Sequence, residues 1–277
     1  MKTLLLNAPA KINIGLNIVE KRLDGFHNLE TFFHPIYDLH DKLSFEKSEN
    51  FIFDSNNNLV KDEDNLIVKA HTLIEKLVRR KLTVKINLEK NIPMGAGLGG
   101  GSSDAAAAII GLNKIFDLKI PLKKLYELAL ELGSDVPFFI TSKPAIGFSR
   151  GEVLTESDFY INLPILIINP GIHISTREAF SFIKPKKSNF DYNLFTRDKS
   201  IIIEELKDSL KNDFEEYVFE KYPEIKNIKD KLYNCGALFS LMSGTGSTVY
   251  GIFSDVTLAK AAYNKFPKKY FKFISTE

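Results

Sequence analysis

The sequence predicts an α+β protein of two lobes, the first over residues 1–159 and the second over residues 160–277, and three observations lead there. Apolar runs with strand-like patterning at residues 4–6, 12–19 and 82–88 stand apart from runs with helical spacing at residues 66–79 and 122–132. A glycine-rich stretch, Pro93-Met-Gly-Ala-Gly-Leu-Gly-Gly-Gly-Ser-Ser-Asp-Ala-Ala-Ala107, joins a strand-like run to a helix-like one at residues 102–116. Between Gly151 and Leu163 the polar Thr155-Glu-Ser-Asp158 gives way to the apolar Leu163-Pro-Ile-Leu-Ile-Ile168, which marks the boundary.

Composition removes several classes of function. A chain of 277 residues, 44% hydrophobic and 26% charged, is long enough for two cores and reads as an ordinary globular protein. Its 37 basic residues exceed its 35 acidic ones by two, so bulk charge does not make it a nucleic-acid binder. Cys235 is the single cysteine, which excludes an intrachain disulfide and a cysteine-cluster metal site and points to the reducing cytoplasm. The N-terminal apolar run is shorter than a signal-peptide core, and no apolar stretch approaches the ~20 residues of a membrane span. A soluble protein with no membrane partner is expected.

The glycine stretch is the strongest local signal. Glycine accepts positive φ and lets a ligand approach the main chain, and the start of the following helix offers unpaired N–H groups with a partial positive charge, so a phosphate fits there. Ser102 or Ser103 is positioned to cap that helix, with Asp104 in its first turn. No lysine follows the last glycine, so this is not a Walker A loop. Gly95-Ala-Gly97-Leu-Gly-Gly100 satisfies the dinucleotide pattern, yet that pattern needs a second parallel strand ending in an acid, and here another helix follows. A turn without ligand is disfavoured, because each glycine costs up to ~1 kcal/mol relative to alanine in regular structure.

Taken in order, the first strand-like pair is interrupted by Ala8-Pro9-Ala10-Lys11-Ile12-Asn13, which sets Lys11 within an apolar segment. By pattern alone that lysine snorkels from an edge strand; Asn13, two residues on, shares its face. Asp24-Gly25 signals a turn, followed by Phe26-His27. His34, His40, His71 and His173 lack metal-ligand spacing and read as structural or surface residues. Asp54-Ser-Asn-Asn-Asn58 is a polar loop, since the positions where a calcium loop needs glycine and glutamate hold Leu59 and Asn65. Asp62, Asp64 and Asn65 offer caps for the helix at 66–79. Pro121 opens the helix that ends at Gly133. Ser134-Asp135-Val-Pro-Phe-Phe139 then reads as a partly buried aspartate before a proline-fixed apolar strand. Ser175 caps a short helix through Phe182, and residues 184–198 are the least ordered-looking stretch. Helical patterns follow at 200–210, 214–221 and 223–233. Residues 237–242, Ser243-Gly-Thr-Gly-Ser247 and residues 248–253 read as strand, glycine turn and strand, before a last helix at 257–266 and a final strand.

These motifs, in this order, resemble the GHMP kinases (galactose, homoserine, mevalonate and phosphomevalonate kinases) along the whole chain. Pro93 to Ala107 is similar to that family's ATP loop, Pro9 to Asn13 to its N-terminal motif, Gly133 to Pro137 to its Gly-(Ala/Ser)-Asp-Val-Pro segment, and Ser243 to Gly246 to its third motif. The lengthened glycine run and Asp24-Gly-Phe-His27 look like the branch that phosphorylates the 2-hydroxyl of a cytidine diphosphate-linked sugar alcohol in non-mevalonate isoprenoid synthesis.

The resemblance implies a fold and a set of roles. The first lobe would be like ribosomal-protein S5 domain 2 and the second ferredoxin-like, together the GHMP kinase fold. Asp135 would take the alcohol proton while Lys11 offsets charge on Asp135 and on the moving phosphoryl group. ATP would lie on Pro93, Met94, Gly95, Ala96, Gly97, Leu98, Gly99, Gly100, Gly101, Ser102 and Ser103, with Asn65 either an adenine contact or only a helix cap. The substrate would meet Asn13, Phe26, His27, Thr176, Phe180, Gly244 and Thr245, with Phe180 either stacked on the base or part of the core. Mg²⁺ would bridge phosphates with few dedicated protein ligands, and its ligands are not fixed by the sequence; nor is the oligomeric state. Two other readings fit less well. A GHMP kinase for a small alcohol without cytidine should lack Asp24-Gly-Phe-His27, and a nucleotide- or RNA-binding protein sharing the first lobe's fold has no use for Lys11 with Asp135.

Overall fold

The computed structural model describes residues 3–56, 64–197 and 201–276, which form two compact units. One unit comprises Met1–Ala10, Leu39–Met94 and Gly99–Ser142, and the other Lys11–Asp38, Gly95–Leu98 and Lys143–Glu277. Two long strands, β1 (Leu4–Lys21) and β2 (His27–Lys47), pass through both and pair with each other. The two short strands expected at the N-terminus are thus one strand, because Ala8, Pro9 and Ala10 stay extended and two of them, Ala8 and Ala10, are buried. The Asp24-Gly25 turn joins β1 to β2 as expected, with Arg22 N–H donating to the Phe26 carbonyl at 2.8 Å.

In the first unit the far half of β2 pairs antiparallel with β4 (Val84–Glu89), and β3 (Ile52–Ser55) adds to β4 in parallel. Asp54 and Ser55 therefore belong to a strand, not a polar loop; β4 offers a free edge that recruits them, and Asn57 and Asn58 lie outside the described residues. Four helices accompany this sheet: α1 (Leu66–Val78), α2 (Gly100–Ile115), α3 (Leu122–Leu132) and α4 (Phe138–Thr141). Asn65 caps α1, its side chain accepting the Ile67 N–H at 2.9 Å; Asp62 falls outside the described residues. Ala105, Ala106, Ala107 and Ala108 are all buried in α2, where short side chains let backbone approach backbone. The segment after Pro137 is helical, not a strand, with Phe138, Phe139 and Ile140 buried. A proline with φ near −54° suits a helix start as well as a strand, and four apolar residues carry no decisive period.

The second unit holds the rest of this six-stranded sheet and a separate four-stranded one. The near half of β2 pairs with β5 (Ala145–Phe148), which pairs with β6 (Val153–Glu156), both antiparallel. The other sheet has four antiparallel strands in the order β10-β7-β9-β8, from β7 (Ile165–Asn169), β8 (Phe239–Met242), β9 (Val249–Ile252) and β10 (Phe271–Ser275). Written by position this is 4-1-3-2, with helices between the first and second and between the third and fourth strands, the βαββαβ arrangement expected of a ferredoxin-like lobe. Its helices include α5 (Thr176–Phe182), α6 (Leu194–Arg197), α7 (Glu215–Lys221), α8 (Pro223–Asn234) and α9 (Val256–Tyr263). The helix expected over 200–210 is a single 3₁₀ turn at Ile203–Leu206. The stretch expected to be least ordered contains two core side chains, Tyr192 and Phe195, whose rings pack with Phe32, Phe159 and Phe190.

One contact tests the fit of helix to sheet in the first unit. A methyl group on Gly111 would lie 2.3 Å from Cζ of the fully buried Phe45 ring. Gly111→Ala should lower stability by ~1–3 kcal/mol, the usual cost of overpacking, as read by urea denaturation. An unchanged midpoint would show that the ring moves aside without cost.

Candidate active site

The glycine loop draws on both units, and each part has its own support. In the first unit, α2 begins two residues before the expected Ser102, because Gly99 takes a left-handed conformation (φ 72°) and serves as the N-cap. Ser103 N–H donates to the Gly99 carbonyl at 2.9 Å, so Ser102 and Ser103 lie inside the helix and neither caps it. Asp104 follows the first turn, and its partner is not the helix dipole but Lys90, whose Nζ lies 2.8 Å from Asp104 and 2.5 Å from Asp41. Asp41 also accepts the N–H groups of Asn91 (2.6 Å) and Ile92 (2.8 Å). This buried group ties the residues entering the glycine run to those leaving it. Burial pushes the Asp104 carboxyl up to about 7, Lys90 pulling against that and Asp41 adding to it. Asp104 Oδ1 and Ser103 Oγ are buried with no hydrogen-bond partner among the described residues. Asp135 lies half-buried in the turn that leads to α4, and Pro93 and Met94, which precede the glycines, belong to this unit as well.

The second unit holds the middle of the loop. Gly97 has φ 77°, and a Cβ there would stand 2.1 Å from the Ser243 carbonyl oxygen, so only glycine lets the two glycine turns meet. Ser243 Oγ donates to the Gly97 carbonyl at 2.8 Å, Thr248 N–H donates to Ala96 at 3.2 Å, and Lys11 N–H donates to Leu98 at 3.0 Å. The buried Asn212 secures the other side of the turn, its amide donating to the carbonyls of Met242 and Gly244 at 2.8 Å each. His173, which the sequence did not single out, sits beside Gly95, 3.2 Å from where its Cβ would be.

Lys11, Asn13 and Thr31 form a buried polar row below this turn. Lys11 Nζ donates to Asn13 Oδ1 at 2.6 Å and lies 5.2 Å from the Phe33 ring centroid. The predicted shared face of Lys11 and Asn13 is thus present. Thr31 and Ser243, which complete the row, gave no local signal beyond the alternation of a strand and the edge of a glycine turn.

His27 and Phe180 stack at 5.0 Å with 24° between planes, and Phe180 also meets Phe214 edge-on. Phe180 therefore borders the core and stacks on His27. Burial, with Lys21 nearby, holds the His27 imidazole below its usual range, hence neutral near pH 7 and able both to donate and to accept. Phe26 is 49% exposed, and the Arg150 guanidinium lies 4.0 Å from its ring centroid. Arg22 bonds Asp24, Asn28 and Ser149 and so fixes the turn that carries Phe26. Thr176 Oγ1 and Thr245 Oγ1 are 3.3 Å apart, which brings α5 to the glycine turn next to Gly244. Among the described residues no three His, Cys, Asp or Glu side chains are grouped to hold a metal.

Two family models match the chain: the GHMP kinases N terminal domain over residues 65–143 and the GHMP kinases C terminal domain over residues 193–272. The chain belongs to the GHMP kinases. Among curated relatives of this GHMP kinase, a protein of Bacteroides fragilis is 43% identical over 88% of this chain and 90% of its own length, and one of Chloroherpeton thalassium is 41% identical over 96% and 94%. Both are named 4-diphosphocytidyl-2-C-methyl-D-erythritol kinase. A crystal structure of 4-(cytidine 5'-diphospho)-2C-methyl-D-erythritol kinase superposes with a TM-score of 0.82 at 28% identity, covering 98% of each chain. Mevalonate kinase of Staphylococcus aureus shares the fold at a TM-score of 0.67 and 15% identity. The two-lobed GHMP kinase fold read from the sequence is therefore the fold of this chain.

The raised Asp104 carboxyl gives a pH test of the first unit. Between an unfolded value near 3.8 and a folded value near 7, the folded GHMP kinase keeps a proton that the unfolded chain has lost, so this group's contribution makes stability fall as pH rises across that window. Asp104→Asn removes the titration. Its stability relative to wild type, from urea denaturation, should rise between pH 4.5 and 7.5; a constant difference would show that Asp104 does not titrate there.

Proposed function

We propose that this GHMP kinase transfers the γ-phosphoryl group of ATP to the 2-hydroxyl of 4-diphosphocytidyl-2-C-methyl-D-erythritol, a step of non-mevalonate isoprenoid synthesis in the cytoplasm. The observation that carries the reading is identity of 41% and more, over nearly the whole chain, to kinases of that name. In this reading residues 1–159 form the nucleotide-binding lobe and residues 160–277 the second lobe, a division supported by family matches that fall on either side of it.

Phosphoryl transfer asks a protein mainly for positioning and for stabilisation of charge. Residues 93–103 receive the ATP phosphates: glycines at positive φ leave room beside the main chain, and the N-terminus of α2 supplies N–H groups. The residues fit a magnesium nucleotide, since the buried Ser103 Oγ has no partner among the described residues and lies at that helix start, with Ser102 beside it. Mg²⁺, when bound, neutralises phosphate oxygens. Asp135 accepts the proton of the attacking hydroxyl as its oxygen bonds to phosphorus and the bond to ADP breaks; Lys11 offsets the charge on the transferring group. His27 addresses the cytosine edge, Phe26 and Phe180 supply ring surfaces, and Asn13, Thr176, Gly244 and Thr245 line the alcohol's side. Asn65 serves as a helix cap first, and its contact with adenine is part of the same proposal.

Turnover of ATP should require the cytidine-bearing alcohol, and alcohols without cytidine should be poor acceptors. Asp135→Asn and Lys11→Met should each lower kcat by ~10²- to 10⁴-fold with little change in KM for either substrate, and the double variant should lose less than the product of the two. Near-normal turnover of Asp135→Asn would sink its role as base. For the aromatic contacts, Phe180→Ala should weaken substrate binding by ~1–3 kcal/mol and leave ATP binding unchanged, as measured by calorimetry. Equal loss for both ligands would make the ring purely structural.

A further inference from the structure

We propose that Thr31 is a positioning residue for Lys11, acting through the side-chain amide of Asn13. The proposal rests on the reading above in one respect, that the Lys11 ammonium takes part in phosphoryl transfer.

Three side chains on two adjacent strands carry the argument. Thr31 on β2 is fully buried, and Asn13 and Lys11 on β1 are 1% and 3% exposed. The Thr31 hydroxyl has one proton, and it goes to the Gly15 carbonyl at 2.6 Å. Towards Asn13 the hydroxyl can then only accept, so the amide must turn its Nδ2 to Thr31, at 2.9 Å. That leaves Oδ1 as the atom facing Lys11, and Nζ donates to it at 2.6 Å. The reverse orientation would set Oδ1 against the Thr31 lone pairs and Nδ2 against the ammonium, two repulsive contacts in a buried place. The hydroxyl proton of Thr31 thus favours the amide orientation that offers Oδ1 to Lys11.

Thr31 and the Lys11 ammonium make that choice together, one from each side of the amide. The Asn13 backbone is already fixed, its N–H donating to Ser243 Oγ at 3.2 Å and its carbonyl accepting from Tyr250 OH at 3.0 Å. With the main chain held, the remaining freedom of Asn13 is rotation of its side chain, and Thr31 holds the Nδ2 end of it. Thr31 is itself stiff, since a β-branched residue in a strand has restricted χ1. Lys11 Nζ is anchored on one side by Asn13 Oδ1 and faces the Phe33 ring on another, so the amide is one of the groups that set its position.

The test uses the whole protein and steady-state kinetics with ATP and 4-diphosphocytidyl-2-C-methyl-D-erythritol. Thr31→Val keeps the shape and removes the hydroxyl; kcat should fall about 10- to 100-fold, the range seen when a group that orients a site residue is removed. KM for ATP should stay within about twofold, and Thr31→Ser, which keeps the hydroxyl, should recover most of the loss. The deciding comparison is Thr31→Val made in the Lys11→Met background. If Thr31 works through the ammonium, it should cost almost nothing there, whereas a structural role would cost the same factor in both backgrounds and would overturn the proposal. A second measurement needs no variant: with asparagine labelled by ¹⁵N, the Asn13 Nδ2 protons should exchange with water far more slowly than those of exposed asparagines. Exchange at the exposed rate would also overturn it. Failure of the underlying reading looks different, because Lys11→Met itself would then keep its turnover.

Discussion

Ser243 Oγ accepts the N–H of Asn13 and donates to the carbonyl of Gly97, so one hydroxyl joins residues 230 and 146 positions away along the chain. Each bond is modest by itself, about 1 kcal/mol net, yet both close long loops of sequence around a buried point, and either partner left alone there would cost more than the bond contributes. The geometry tolerates few alternatives. Gly97 has no room for a side chain against Ser243, and Asn212 holds the same turn from behind by two further bonds. The strand that carries Lys11, the middle of the glycine loop and the turn before β9 are thereby fixed to one another within the second unit.

The first unit solves a different problem. A run of glycines is conformationally free, and its two ends must be held if it is to present N–H groups in one arrangement. Lys90 between Asp41 and Asp104 does this with charge, and Asp41 adds two backbone N–H bonds at the entrance to the run. Burial opposes the charge on Lys90, and the two carboxylates outweigh it. A buried ion group of this kind adds little net stability compared with apolar packing, but removing Lys90 would leave its buried carboxyl partners without a counter-charge, which makes the arrangement specific.

Much of this was legible in the sequence because it rests on local rules. The Asp24-Gly25 turn, the Asn65 and Ser175 caps, the bounds of α3 and the shared face of Lys11 and Asn13 follow from turn chemistry, capping and a period of two. The β-α-β-β-α-β order from Ile165 to Ser275 followed from the succession of apolar runs and helical patterns. What escaped has a common cause. In β2, Pro35 and the polar residues Asp38, His40, Asp41 and Lys42 break the alternation, so a strand of 21 residues left no clear period. Tyr192 and Phe195 are buried inside a lysine-bearing segment whose composition suggested the opposite. Thr31, Ser243, Lys90 and Asp41 draw their importance from partners far away in the chain, and a single polar residue in a sequence does not announce its partner.

The two polar networks also differ in how completely they are satisfied, and that difference bears on what each can do. Around Asn13 every group is used: the N–H by Ser243, the carbonyl by Tyr250, Oδ1 by Lys11 and Nδ2 by Thr31. Such a residue has one conformation, and a side chain bonded to it inherits that order. Around Asp104 the satisfaction is partial, with Oδ1 and the neighbouring Ser103 Oγ buried and without partners among the described residues. A half-satisfied group in a buried place is costly, so its persistence at the start of α2 calls for a compensating interaction, whereas the Asn13 row needs none. The row is suited to holding the Lys11 ammonium still, and the α2 start leaves two polar atoms open to a partner.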